Sequence, residues 1–83
     1  MSYTVRWTKA ARDQLAAVWL THPNRKGVTA AAHRLDLLLG RDPEGQGESR
    51  ADNRRIVFES PLVAVYRIDS TARVVIVSHV RRY

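Results

Sequence analysis

Four residues in the second half of the chain, Arg55, His79, Arg81 and Tyr83, carry side chains suited to work on a phosphodiester. Breaking an RNA backbone without a metal requires three things: activation of a 2′-hydroxyl, stabilisation of added charge on phosphorus, and a proton for the leaving 5′-oxygen. A guanidinium suits the second task because its planar fork donates two hydrogen bonds to phosphate oxygens. An imidazole suits proton transfer because its unperturbed pKa of about 6.5 lies near working pH. Along an extended C-terminal segment, period-2 alternation puts His79, Arg81 and Tyr83 on one face and Ser78, Val80 and Arg82 on the other. Tyr83 also offers a ring on which a base can stack. In the run Arg54–Glu59, Ile56 and Phe58 are expected to face the core, which turns Arg55, Val57 and Glu59 to the opposite side. Arg54 is the alternative to Arg55 if the register is shifted, and Arg54 and Arg82 are read as further nucleic-acid-binding residues. The expectation to be tested is that Arg55 and the basic C-terminal segment meet in a single cleft.

The rest of the chain supports a polyanionic target. It has 83 residues, 14 of them Lys or Arg against 8 Asp or Glu, giving a net charge of +6 and a pI of about 10.8. Such a surplus raises the local potential and favours RNA, DNA or an acidic protein. Hydrophobic residues make up 45% of the chain, enough for one modest core, so it is not a disordered basic tail. We therefore read residues 1–83 as one domain. With no cysteine, disulfides, thiol nucleophiles and thiolate zinc sites are excluded. His22 and His33 form no metal-ligand spacing with a carboxylate, and no metal or other cofactor is expected. No stretch approaches the ~20 apolar residues of a membrane span. The first residues, Met-Ser-Tyr-Thr-Val-Arg-Trp, lack an apolar signal core, so a cytoplasmic location is the default expectation.

Patterning supplies the elements that must hold these side chains. Tyr3, Val5 and Trp7 alternate with Thr4, Arg6 and Thr8 as in a half-buried strand. Thr8 then serves as N-cap for a helix from about Lys9 to His22, with Ala11, Leu15, Val18 and Trp19 on one face. His22-Pro23-Asn24 breaks that helix. A second follows, with Val28, Ala31, Ala32, Leu35, Leu38 and Leu39 as its apolar stripe and Gly40 as its C-cap. A polar loop, Arg41–Asn53, leads to three strands: Arg54–Glu59, Leu62–Ile68 and Arg73 to about Arg81. Asp69–Ala72 forms the last hairpin connection. The fold class is thus α+β, in the order β-α-α-β-β-β, with an antiparallel sheet and a helical hairpin packed on one face. Trp7, Trp19, Leu35 and Leu39 are read as core, and Arg6, Arg12, Arg25, Lys26 and Arg34 as a solvated face.

Several short pieces, in order, resemble the RelE/ParE family of toxin–antitoxin toxins. They are the opening strand followed by Ala11-x-x-x-Leu15, and Leu35–Leu39 followed by Arg41-Asp42-Pro43 and Gly45. Arg54-Arg55-Ile56 with Val65-Tyr66-Arg67-Ile68 is another, and the ending His79-x-x-Arg82 resembles the family's closing H-x-x-R. The resemblance spans nearly the whole chain. It implies one of two activities, metal-independent cleavage of mRNA on the ribosome or poisoning of DNA gyrase without catalytic residues. It also implies a cognate antitoxin that wraps the toxin and covers its basic site. By resemblance Arg55 falls where the ribonuclease class carries a strand arginine. The loop before it is shorter than in members that use a glutamate, and Glu48 does not stand in their K-P-E setting. A ribosome-associated endoribonuclease, a gyrase poison, and a non-toxic relative keeping only the scaffold are the three expectations.

Overall fold

The computed structural model describes residues 2–83. Their elements are β1 (Thr4–Trp7), α1 (Lys9–Thr21), α2 (Arg25–Arg41), β2 (Glu48–Ser49), a 3-10 turn (Ala51–Asn53), β3 (Arg55–Glu59), β4 (Leu62–Asp69) and β5 (Val74–Arg82). The helix starts lie where capping chemistry puts them. Thr8 is extended and its hydroxyl accepts from Ala11 N at 3.1 Å; Asn24 Oδ1 accepts from Gly27 N at 2.9 Å. At the other end α2 runs past Gly40 to Arg41, and Asp42 is its C-cap. Gly40 O instead accepts from Tyr3 N at 2.7 Å, tying the helix to β1.

One five-stranded sheet, in the order β1-β5-β4-β3-β2, carries both helices on one face. The β3–β4–β5 meander is antiparallel, but β1 lies parallel to β5, so the sheet is mixed. Alternation records which face a side chain occupies and is blind to the direction of the neighbouring strand. The connection between this parallel pair is long, running through both helices and then back across the sheet through β2, β3 and β4. Val28, Ala31, Leu35 and Leu39 of α2 are fully buried against Tyr66, Val75 and Val77 of the sheet. Trp7 packs at the edge of this core, whereas Trp19 is 39% exposed and lies in a groove between the helices.

Strand β2 has only two residues and no apolar pattern, so alternation does not reveal it. Its approach to β3 depends on Gly47, which has φ +68° and whose substituted Cβ would lie 2.4 Å from Ile56 O. Replacing Gly47 with Ala is expected to lower stability by roughly 1–3 kcal/mol, from left-handed strain together with that overlap. Chemical denaturation of the variant checks this.

Candidate functional site

The face on which a residue sits decides what it can reach. On β3 the buried residue is Val57, opposite Ala64, so Arg55 and Glu59 share the helix-covered side of the sheet. Ile56 and Phe58 point to the open side, and Phe58 is 56% exposed. The expected facing of this strand is therefore inverted. Two charged residues flanking a single valine can sit on the covered face because both lie at its rim. Glu59 takes an ion pair from Arg34 of α2 at 2.6 Å, and Arg55 reaches into the α2–β3 loop.

Every nitrogen of the Arg55 guanidinium is engaged there. Nε donates to the Tyr66 hydroxyl at 3.3 Å and Nη1 to Ser49 Oγ at 2.8 Å. Nη2 donates to the backbone carbonyls of Glu44, Gln46 and Gly47 at 2.9, 3.3 and 3.1 Å. The fully buried Tyr66 extends the network, its hydroxyl lying between the carbonyls of Pro43, at 2.7 Å, and Gln46. A 13-residue polar loop has many orphan carbonyls, and a planar cation with five donors collects several at once.

Burial raises the Tyr66 pKa; the hydrogen bond and charge of Arg55 oppose this, and the Asp42 charge adds to it. The unfolded tyrosine loses its proton near pH 10, before the folded one does. Unfolding thus releases a proton as pH climbs above that point, and alkali favours the unfolded chain. Tyr66 should contribute its full share of stability below about pH 10 and lose it as pH rises through the higher folded value. Denaturation followed from pH 8 to 11.5 should show this fall, and Tyr66→Phe should show less of it.

A β-bulge controls the C-terminal cluster. Val75 and Val77 are buried under the helices, so unbroken alternation would bury His79 and Arg81 as well. Instead Tyr66 pairs with Val77 and Val65 with His79, leaving Ser78 as an extra residue in β5. The inserted residue changes the parity, re-aiming the side chains that follow it. Val80 returns to the core, and His79 and Arg81 face the open side opposite Val65 and Val63. Ser78 Oγ lies 3.3 Å from Val65 O and 3.0 Å from His79 Nδ1. With its proton directed to Val65 O, the Ser78 hydroxyl can accept from His79 Nδ1. The Tyr83 ring, 61% exposed, meets Phe58 edge to face at 5.1 Å.

His79, Arg81 and Tyr83 share one side of the strand, and that side is the open face. Arg55 is not among them. Its side chain lies beyond the sheet, at the Tyr66 end of β3, whereas Arg81 stands opposite Val63 toward the other end. Arg82 pairs with the inward-facing Leu62 and projects on the helix side. Arg54 folds back on its own 3-10 turn, its Nε 3.5 Å from Ala51 O and a terminal nitrogen 3.8 Å from Asp52. The single cleft joining Arg55 to the C-terminal cluster does not form. Glu48 is exposed and pairs with Arg50 at 3.1 Å.

Three residues of the open face were not singled out as a site. Arg6 of β1 and Arg67 of β4 flank Ile76 of β5 in register, and Phe58 lies opposite Val63. Strand alternation in β1 and β4 carried that signal, since Arg6 sits between the core-packed Val5 and Trp7, and Arg67 between Tyr66 and Ile68.

No protein-family model matches the chain, and no curated protein does. Solved structures do. The toxin–antitoxin complex RelBE2 from Mycobacterium tuberculosis contains a chain 26% identical, with all of both chains covered and a TM-score of 0.82. The chromosomal ParDE system from P. aeruginosa matches at 17% identity, 96% and 95% coverage and a TM-score of 0.72. The archaeal RelE–RelB complex from Pyrococcus horikoshii OT3 matches at 11%, 99% and 96%, with a TM-score of 0.59.

Proposed function

We propose, for a chain whose fold is that of the RelE/ParE toxins over its whole length, the role of toxin in a toxin–antitoxin pair that acts by binding. Its target in this reading is an enzyme–DNA complex of the DNA gyrase type, gripped by the open sheet face and not cut. The observation that carries the reading is the engagement of Arg55. With Nε, Nη1 and Nη2 all donating to loop carbonyls and hydroxyls, most of the guanidinium's donors are already committed, which leaves it poorly placed to grip a phosphorane with a two-bond fork. A ribonuclease built on that strand arginine would have to break these bonds to stabilise charge on phosphorus. The closing His79-x-x-Arg82 is compatible with the gyrase-directed class that it resembles. An antitoxin partner is proposed because the similar chains were solved as toxin–antitoxin complexes.

One observation favours a second reading, a metal-independent endoribonuclease acting on ribosome-bound mRNA. The bulge at Ser78 puts an imidazole and a guanidinium side by side on the open face, with a phenol at the same end of the strand. In that reading His79 or Tyr83 moves protons and Arg81 alone stabilises the phosphorane.

Two assays separate the readings. Purified gyrase with relaxed plasmid should lose supercoiling activity when the chain is added, and transcript 5′ ends mapped after induction should show no new cuts. Uninhibited gyrase with cuts inside translated frames selects the ribonuclease. Silence in both assays, from folded protein, selects a relative that keeps only the scaffold.

A further inference from the structure

Strand β1 is one edge of the sheet, and its outer side is unpaired. Thr4 N donates to Arg73 O at 2.9 Å and Thr8 N to Val77 O at 3.0 Å, so the even-numbered residues bond inward to β5. In a parallel ladder the residues between them turn their N–H and C=O groups the other way. Those of Val5 and Trp7 therefore face outward, and among the described residues no backbone group bonds to them. Helix α2 closes only the start of this edge, where Gly40 O accepts from Tyr3 N at 2.7 Å. Beside that point lies a shallow cleft of about 480 Å³, lined by Ser2, Tyr3, Asp36, Leu37, Gly40 and Arg41. Leu37 is 52% exposed there, an apolar rest with nothing on it. Such a row of free backbone groups is a template for another strand.

The charges around the edge select its partner. Arg6 sits in the middle of β1 on the open face, Arg41 lines the cleft, and Arg73 covers the Tyr3 ring at 4.8 Å. Among the described residues none of the three forms an ion pair. The carboxylates of the surrounding elements are engaged elsewhere. Asp13 pairs with Lys9 at 2.8 Å, and Asp36 accepts from Trp7 Nε1 at 2.6 Å. Asp42 and Asp69 accept from turn amides at 3.1 and 3.0 Å.

We propose that β1 takes up an extended acidic segment of a partner protein as an added antiparallel strand. The N–H and C=O groups of Val5 and Trp7 pair with its backbone. Residues opposite each other in such a pair share a face, so those opposite Val5 and Trp7 are apolar and lie on the helix side. A carboxylate opposite Arg6 meets its guanidinium, and a second, at the Tyr3 end, reaches Arg41. Main-chain bonds supply affinity in this mode, and alternate side chains supply specificity. A nucleic acid has no amide ladder to offer Val5 and Trp7. A second copy of the chain has one, but pairing about Arg6 would set two like charges directly opposite. The inference rests on the free edge and its arginines, and it is independent of the enzyme on which the chain acts.

A labelled eight-residue peptide alternating valine and glutamate tests this on the purified chain, by fluorescence anisotropy and by amide hydrogen exchange. It should bind, and it should slow exchange at the Val5 and Trp7 amides. The same peptide N-methylated at alternate residues, along the edge that pairs, keeps its charges and loses its hydrogen bonds. Its binding should be weaker by roughly tenfold or more. Arg6→Glu should weaken the glutamate peptide by at least about tenfold and confer binding on a valine–lysine peptide that the wild type rejects. Arg12→Glu makes the same charge reversal on α1 and should leave the affinity unchanged. Circular dichroism melts confirm that each variant is folded. Absence of binding, unprotected Val5 and Trp7 amides, equal binding of the N-methylated peptide, or equal loss in Arg12→Glu would each overturn the proposal. Protection of those amides without peptide, in a chain that sediments as a dimer, would assign the edge to a second copy and overturn it too. Peptide binding without gyrase inhibition would retain this inference and remove the gyrase reading; gyrase inhibition without peptide binding would do the reverse.

Discussion

Replacing Arg55 should unfold the chain at a markedly lower temperature, and replacing it with Lys should not restore the loss. The guanidinium joins the Tyr66 hydroxyl, Ser49 and three carbonyls of the α2–β3 loop. Hydrogen bonds to a charged group are worth about 1.5–3 kcal/mol each when buried, but several of these are solvent-exposed and they are not additive. We therefore expect roughly 3 kcal/mol for Arg55→Ala, which in a domain of this size lowers the melting temperature by about 15 °C. A lysine ammonium keeps the charge but cannot present a planar fork to acceptors spread along the loop, so most of the deficit should remain. Calorimetry on wild type, Arg55→Ala and Arg55→Lys measures this. Full stability in the lysine variant would mean that charge alone holds the loop.

The second large effect concerns function with stability spared. Arg81 stands on the open face with no partner among the described residues, so Arg81→Glu should change folding stability by no more than about 0.5 kcal/mol. The same change puts a carboxylate where, in the proposed reading, a polyanion lies. Like charges brought together at an interface cost several kcal/mol, which weakens binding by roughly a hundredfold or more. Induced growth arrest should therefore disappear in Arg81→Glu while soluble yield and melting temperature stay at wild-type values. Arrest that survives the reversal would place the working surface elsewhere.

The contrast between these two arginines shows what alternation and periodicity convey. The helices were legible because a 3.6-residue stripe such as Val28, Ala31, Leu35 and Leu39 has one arrangement that buries it. The caps at Thr8 and Asn24 followed from local hydrogen-bonding chemistry. Strand β3 misled because Ile56 and Phe58 are more apolar than the lone Val57 between Arg55 and Glu59. Only tertiary partners, Arg34 and the loop carbonyls, make the less apolar face the inner one. Alternation grouped His79, Arg81 and Tyr83 on one side but did not say which side of the sheet that is. Counting outward from Val75 and Val77 would have buried the group, and the bulge at Ser78 that reverses the count leaves no mark in the residue pattern.

In the proposed reading the chain acts through the uncovered side of its sheet, and Arg55 serves as an internal tie. Arginine side-chain Nε–H resonances, followed by nuclear magnetic resonance during titration with an unlabelled oligo-dT 20-mer, address that claim residue by residue. Signals of Arg6, Arg67 and Arg81 should shift progressively, while that of Arg55 should stay fixed from first addition to saturation. A migrating Arg55 signal, or three unmoved open-face arginines, would contradict it.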